Sequence, residues 1–202
     1  QNWQQIGPYG GYFKEFTFYP NNSSIIYAGS DDGGGIWKSY DTGSTWSLLT
    51  ADYPNMTGWK ITIDENSPNT IYACDVYSRY GILKSTDGGS TWSNPINGLN
   101  SEKDKMVSGL SILSNDTLII STGESATTTP PRPGNGVFRS FDGGISWNAG
   151  GLQNMTIPCI DNNVFGTIFA GTEDHGLFYS NDYGDTWTIH PDVSSTAICH
   201  EI

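Results

Sequence analysis

The feature that most constrains this chain is an eight-residue pattern, S-x-D-x-G-x-[ST]-W, which occurs four times in 202 residues. Its aspartates lie about 40 to 55 residues apart, the length of one four-stranded propeller blade. The four copies share an Asp, a Gly and a Trp: Asp41, Gly43 and Trp46; Asp87, Gly89 and Trp92; Asp142, Gly144 and Trp147; Asp182, Gly184 and Trp187.

The chemistry of the pattern is that of a turn. The Asp carboxylate can accept hydrogen bonds from backbone N–H groups that follow it, and the Gly supplies a left-handed backbone position. The Ser or Thr can satisfy another turn amide, and the Trp starts the next strand with its ring against a neighbouring sheet. A structural role is favoured over catalysis or metal binding, since a catalytic group is not needed four times.

Three apolar segments bounded by turn residues precede each copy, as strands do. The sequence therefore predicts an all-β fold, a β-propeller of four-stranded antiparallel blades. The predicted blades cover residues 1–50, 51–103, 104–151 and 152–193, and residues 194–202 begin a further blade. We expect the chain to be part of a larger propeller, or alternatively to pair with a second copy through its open blade edges.

Charge and composition exclude several functions. The net charge is −12, which repels nucleic acid phosphates. No apolar run approaches the roughly 20 residues of a membrane span. Cys74, Cys159 and Cys199 form no metal-binding pattern, so no metal or cofactor is expected. Their odd number implies at least one free thiol or a partner outside the chain.

Short N-x-[ST] patterns favour an extracellular or cell-surface location, because they are N-glycosylation acceptors. The acceptor asparagines are Asn21, Asn22, Asn55, Asn115 and Asn154.

The four copies resemble the Asp-box, or BNR, repeat found in sialidases, sortilin, photosystem II assembly factors and xyloglucanases. The resemblance covers essentially the whole chain and implies a propeller, but one scaffold hosts many activities. Sialidases clamp a carboxylate with three arginines. This chain has just three arginines, Arg79, Arg132 and Arg139, and lacks the Arg-Ile-Pro segment with which that family opens, so a sialidase is not expected. Arg139 precedes an Asp box, where a structural, solvated role is expected.

The opening segment, Trp3 to Gly11 followed by Tyr27 to Lys38, resembles the first blade of xyloglucanase-like propellers. In that family an Asp before a Gly-Gly pair is the general base. The resemblance places this role on Asp32, with Asp31 as the alternative register, and places the partner acid in a second propeller. The simpler interpretation is that both aspartates shape a Gly-rich surface loop.

Propellers usually bind ligands at the end opposite the Asp boxes, where the loops after each second strand lie. Carboxylates and aromatics concentrate there and suit a carbohydrate or a protein: Asp31, Trp59, Asp75, Tyr77, Tyr80, Glu124, Glu173 and Asp174. The favoured hypothesis is a non-catalytic recognition, adhesion or assembly scaffold in a larger secreted or surface protein. The alternative is the N-terminal part of a xyloglucanase-like glycoside hydrolase.

Overall fold

The computed structural model describes residues 11–77, 79–114, 116–124 and 132–193, which form strands and turns and no helix. The first sheet contains β1 (Phe13–Phe18), β2 (Ile26–Ser30), β3 (Ile36–Ser39) and β4 (Ser47–Leu48). The second contains β5 (Lys60–Ile63), β6 (Ile71–Cys74) and β7 (Ile82–Ser85). The third contains β8 (Val107–Ile112), β9 (Leu118–Thr122), β10 (Val137–Ser140) and β11 (Asn148–Ala149). The fourth contains β12 (Cys159–Asn162), β13 (Ile168–Gly171), β14 (Leu177–Ser180) and β15 (Thr188–Ile189).

Strand order follows the chain in every sheet, as in the antiparallel blades of a β-propeller. The predicted fold class is thereby confirmed. The blade limits drawn from the sequence stay predictions, and the predicted start of a further blade, residues 194–202, lies outside the described residues. In the part of the chain that the structure describes, no helix has the length and hydrophobicity to cross a membrane.

Blade two departs from the four-stranded pattern for a chemical reason. In the other blades, the residue three places after the Asp-box Trp donates its N–H to the third strand, as Leu49 does to Ile36 O at 2.8 Å. In blade two this residue is Pro95, which has no N–H. The Asn94 side-chain Nδ2 donates to Ile82 O instead, at 2.7 Å, and the fourth strand shrinks to a single bridge between Lys84 and Ser93.

The chain divides into two compact units, residues 1–73 with 83–93 and residues 74–82 with 94–202. In the first unit, blade one contacts blade two on one face of β1: Thr17 Oγ1 donates to Ile61 O at 2.9 Å, and Glu15 pairs with Lys60 at 3.2 Å. On the other face, Phe16 and Phe18 are more than half exposed. The predicted pairing of two copies of the chain through open blade edges stays a prediction.

In the second unit, blades three and four share an apolar core. Buried residues from both blades form it: Ile119, Val137, Ile157, Ile160, Ile168 and Ala170. The Asp-box tryptophans add polar contacts between blades, since Trp187 Nε1 donates to Gly150 O at 2.6 Å and Trp147 Nε1 to Pro95 O at 2.9 Å. Trp147 is buried and Trp187 is half-buried, and each bonded indole N–H stabilises the contact between neighbouring sheets.

The basic residue before an Asp-box Ser also contacts the next blade. Lys38 is buried, and its Nζ donates to Gly88 O, within the following Asp box, at 2.8 Å. Arg139 pairs with Asp185 of the fourth box at 2.6 Å. This contact agrees with the structural role expected of Arg139, although its side chain is half-buried, and its partner lies 46 residues away in the sequence.

Two of the cysteines lie among the described residues. Cys159 takes part in a disulfide bond, and Cys74 carries a buried thiol in β6. Cys199 lies outside the described residues.

Candidate functional site

The four Asp boxes are closed hydrogen-bonded turns. In the first, Ser39 Oγ donates to Asp41 Oδ1 and accepts the Gly43 N–H, both at 2.8 Å. Thr45 completes the turn with two bonds of 2.7 Å, from its N–H to Asp41 Oδ1 and from its hydroxyl to Asp41 Oδ2. The same Ser–Asp and Ser/Thr–Asp bonds recur in the other three boxes.

These donors hold the box carboxylates ionised. The hydroxyls of Thr91 and Thr186 are the main cause that lowers the pKa of Asp87 and Asp182 to about 2. Partial burial works in the opposite direction on Asp142, but the hydroxyls of Ser140 and Ser146 outweigh it and bring its pKa to about 2 as well. These carboxylates bond within their own turns, and the structural role expected of the Asp-box residues stays a prediction.

The loop after β2 in blade one holds Asp32 differently. Ser30, fully buried at the end of β2, donates its hydroxyl to Asp32 Oδ1. The Tyr12 N–H reaches Asp32 Oδ2 at 3.3 Å. The Ser30 hydrogen bond is the main cause that keeps the pKa of the exposed Asp32 below its usual value. The result is an ionised carboxylate with a fixed orientation at the surface.

Residues 30–37 read S-D-D-G-G-G-I-W and match the Asp-box pattern at every position except the seventh, where Ile36 replaces Ser or Thr. The first half of the turn forms as in a box, with the Gly34 N–H on Ser30 Oγ at 3.2 Å. Trp37 Nε1 donates to Gly34 O at 2.8 Å, as Trp46 does to Gly43 O at 2.9 Å. We call residues 30–37 the open box.

In the second half of the open box, the backbone N–H groups donate to neighbouring segments and not to the Asp32 carboxylate. The Gly35 N–H donates to Met56 O at 2.9 Å, and the Ile36 N–H donates to Thr50 Oγ1 at 3.0 Å. In a closed box the corresponding groups donate to the Asp. Within the described ranges, Ser30 is therefore the only side-chain hydroxyl donor to Asp32, whereas every closed box supplies two to its Asp. Sequence reasoning singled out Asp32 but missed Ser30, although the repeated pattern itself contained the signal.

The open box has one aromatic candidate in the same compact unit. The loop that precedes β5 packs against it, since the Gly58 N–H donates to Ser30 O at 2.7 Å. Trp59 follows in that loop and is half-buried, with Lys14 Nζ 3.2 Å from its ring centroid. Asn55, one of the sequon residues, lies directly against Gly33.

Asp75, in the second unit, is fully buried. Its carboxylate accepts the N–H groups of Tyr77 and Tyr80, each at 3.1 Å. Through these two hydrogen bonds the buried carboxylate stabilises the loop after β6, and it is not exposed to solvent. Tyr80 also ties the loop to the end of blade two, because Asn94 Nδ2 donates to its carbonyl at 2.6 Å.

Tyr77 and Glu124 meet at Arg132. The Arg132 guanidinium lies 3.9 Å from the centre of the Tyr77 ring and forms an ion pair with Glu124. The Glu124 N–H also donates to Arg132 O at 2.8 Å. In this arrangement Arg132 covers one face of Tyr77 and neutralises Glu124.

The remaining carboxylate candidates lie in the loop after β13. Glu173 is half-buried, and its N–H donates to Thr156 O at 3.1 Å. Asp174 is exposed and contacts the neighbouring His175 ring. Among the described residues there is no group of three or more His, Cys, Asp or Glu side chains able to hold a metal ion.

The described sequon residues occupy turns. Asn21, Asn55 and Asn154 have φ angles of 61°, 62° and 63°, a left-handed conformation that Asn adopts more readily than most residues. Those three and Asn22 are exposed, while Asn115 lies outside the described residues. N-glycosylation of these residues stays a prediction. The turn geometry alone accounts for asparagine at the three positions with positive φ.

No known protein-family profile matches the chain. Among curated proteins, a xyloglucanase of Hypocrea jecorina is 25% identical over 95% of this chain and 23% of its own length. A xyloglucanase of a Paenibacillus species is 34% identical over 37% of this chain and 9% of its own length. The chain thus spans less than a quarter of the length of these relatives.

Solved structures show the same fold. The GH74 xyloglucanase from Xanthomonas campestris matches 87% of this chain and 29% of its own length, with a TM-score of 0.66 and 15% identity. YCF48 bound to D1 peptide matches 89% of this chain and 53% of its own, with a TM-score of 0.61 and 16% identity. An extracellular domain from B. thetaiotaomicron matches 98% of this chain and 25% of its own, with a TM-score of 0.67 and 14% identity.

These likenesses and the four sheets define the class of protein: this chain has an all-β fold of the β-propeller type. Its similarity is to xyloglucanase propellers in particular.

Proposed function

We propose that this chain is the substrate-binding propeller segment of an extracellular xyloglucanase-like glycoside hydrolase, and that Asp32 is its general base. The observation that carries the proposal is the carboxylate of Asp32, which is exposed, ionised and fixed in direction by Ser30. The alignment to the Hypocrea xyloglucanase along 95% of the chain supplies the substrate class, a β-glucan with xylose branches.

The chemistry asked of Asp32 fits inverting hydrolysis. A water molecule attacks the anomeric carbon, the glycosidic C–O bond breaks, and the water proton passes to the base. The leaving oxygen takes a proton from an acid supplied by another part of the full-length protein. A base must be deprotonated to act, and the lowered pKa keeps Asp32 ionised at neutral pH, so activity is lost as the pH falls toward that pKa.

Xyloglucan hydrolysis by the natural full-length protein tests the proposal. Asp32→Asn should lower kcat by about 10²- to 10⁴-fold, the usual contribution of a general base. Asp31→Asn is the matched control, because it removes the neighbouring carboxylate from the same loop. Equal losses in both variants, or a wild-type protein that cleaves no β-glucan, would contradict the proposal.

The non-catalytic scaffold favoured by the sequence remains the second candidate. It is supported by Tyr77 and Glu124, which contact Arg132 and present less free surface to a sugar. It also agrees with the match to YCF48, a propeller whose structure holds a bound D1 peptide. Normal β-glucan cleavage that depends on Asp32 would eliminate it.

A further inference from the structure

The last position of the second strand, or the residue just after it, is equivalent in all four blades. It is occupied by Ser30, Asp75, Thr122 and Thr172, and all four side chains are completely buried. Each of these residues donates its backbone N–H across the hairpin to a glycine carbonyl, as Ser30 does to Gly35 O at 3.0 Å. The backbone at this position therefore makes the same hydrogen bond in all four blades, while the side chain differs between blades.

The two threonines use their hydroxyls to close their own hairpins. Thr122 Oγ1 donates to Gly136 O at 2.8 Å, and Thr172 Oγ1 donates to Gly176 O at 2.7 Å. Each hydroxyl also accepts a loop N–H, from Asn135 and His175 respectively. The Ser30 hydroxyl accepts a loop N–H as well, but donates its own hydrogen bond to the Asp32 carboxylate.

Blade four shows that residue spacing alone does not produce this arrangement. Thr172, Asp174 and Gly176 repeat the spacing of Ser30, Asp32 and Gly34, yet Thr172 bonds to the backbone and Asp174 contacts His175. The blade-one loop is one residue longer before its strand resumes, because it contains three consecutive glycines. A Cβ at Gly34 would lie 2.7 Å from Ser30 Oγ, so this close turn requires glycine there.

We infer that Ser30 is a positioning residue for Asp32: the first half of an Asp box, without its closing hydroxyl, fixes one carboxylate oxygen and leaves the other directed toward substrate. The inference deepens the proposed function and rests on it. In a closed box, Oδ1 accepts the Ser hydroxyl and Oδ2 accepts the Thr hydroxyl. In the open box, Oδ1 keeps its Ser, and Oδ2 receives only the Tyr12 N–H at 3.3 Å among the described residues.

The groups that set the charge of Asp32 are hydrogen-bond donors. The Ser30 hydroxyl lowers the pKa of Asp32 most, burial opposes it, and the backbone N–H groups of Tyr12, Asp32 and Gly34 lower it less. Among the residues that the structure describes, the titratable side chains adjacent to it in the chain or by contact are those of Asp31 and Tyr12. Removing the Ser30 hydroxyl should therefore raise the pKa of Asp32 and free its side chain to rotate.

The test compares Ser30→Ala with Ser39→Ala, which removes the same Ser–Asp bond from the closed box of the same blade. In the full-length protein, Ser30→Ala should lower kcat/KM on xyloglucan by about ten- to hundredfold, as misplacement of a reacting group does. It should also shift the acid limb of the pH profile to higher pH. Ser39→Ala should change neither.

A second measurement needs no variant. In ¹H NMR of the wild-type chain, the buried Ser30 hydroxyl proton should exchange slowly with water and should shift as the Asp32 carboxylate titrates. A hydroxyl proton insensitive to that titration, or a Ser30→Ala pH profile identical to wild type, would overturn the positioning role. A wild-type protein inactive on every β-glucan would overturn the proposed function, even with the Ser30 proton coupled to Asp32.

Discussion

Blade one carries nearly the same hydrogen-bonded turn at both of its ends, and the two turns differ in how many hydroxyl groups donate to the carboxylate. In the closed box, Ser39 and Thr45 saturate the Asp41 carboxylate. In the open box, Ser30 holds Asp32 on one side, and the residue at the Thr position is a buried isoleucine that belongs to β3. Both carboxylates are exposed, and the change in the second half of the motif removes the hydroxyl donor from the second oxygen of the carboxylate.

Backbone conformation explains how the two turns diverge. In the closed box the consecutive residues Thr42 and Gly43 have positive φ angles of 59° and 84°. In the open box Gly33 and Gly35 do, at 82° and 78°, with Gly34 between them outside that region. The backbone of the open box therefore departs from the closed-box conformation at its fifth residue, Gly34. The N–H groups of the next two residues bond to neighbouring segments rather than to the carboxylate.

The largest expected effect distinguishes the two carboxylates by activity. In the full-length protein, Asp32→Asn should lower kcat by about 10²- to 10⁴-fold while leaving the melting temperature nearly unchanged. Asp41→Asn should do the reverse, because its carboxylate bonds only within its own turn. Steady-state kinetics and thermal unfolding of both variants measure this. Similar kinetic losses in the two would mean that the two ends of the blade do not differ in function.

The next effect is on stability. Ser39→Ala leaves the buried N–H of Gly43 without its acceptor and should lower the free energy of unfolding by about 1–3 kcal/mol. Urea denaturation of the chain measures the change. Ser47→Ala is the control, since Ser47 lies exposed in β4. An equal effect of the two substitutions would contradict the structural role of the closed box.

Acid should weaken the closed boxes. Asp87, Asp142 and Asp182 have pKa values of about 2 in the folded chain, below the ordinary 3.8. A lowered folded-state pKa means that the stabilisation is present above the ordinary value and is lost as the pH falls toward about 2. Melting temperatures between these limits should fall less steeply in Asp182→Asn than in wild type. Equal slopes would show that the box carboxylate contributes nothing to acid stability.

The smallest expected effect is on the pKa of one carboxylate, after a single hydrogen bond is removed from a closed box. Thr91→Val removes the hydroxyl that is the main cause of the low pKa of Asp87, so this pKa should rise from about 2 toward 3.8. Carboxyl ¹³C titration reports it. Ser90→Ala is the matched control, because its hydroxyl donates to the backbone carbonyl of Asp87 instead. An Asp87 pKa that Thr91→Val leaves unchanged would contradict the role of the Thr91 hydroxyl.

The sequence predicted the fold well because the repeated turn and the apolar strands act locally. It also placed Asp32 in a loop opposite the Asp boxes. It failed at positions whose partners are distant in the chain, such as Arg139 with Asp185 and Tyr77 with Arg132, since spacing alone does not reveal such contacts. Pro95 is intermediate: its missing N–H is visible in the sequence, but the compensation by Asn94 requires the geometry.

The most direct test of the account is a crystal structure of the full-length protein carrying Asp32→Asn with a bound xyloglucan oligosaccharide. We expect the sugar to lie at the open box, with a glucan hydroxyl or a bridging water within hydrogen-bond distance of the residue at position 32. We also expect no sugar to contact the closed boxes. An oligosaccharide bound at the Asp-box end, or bound well away from residues 30–37, would contradict this expectation.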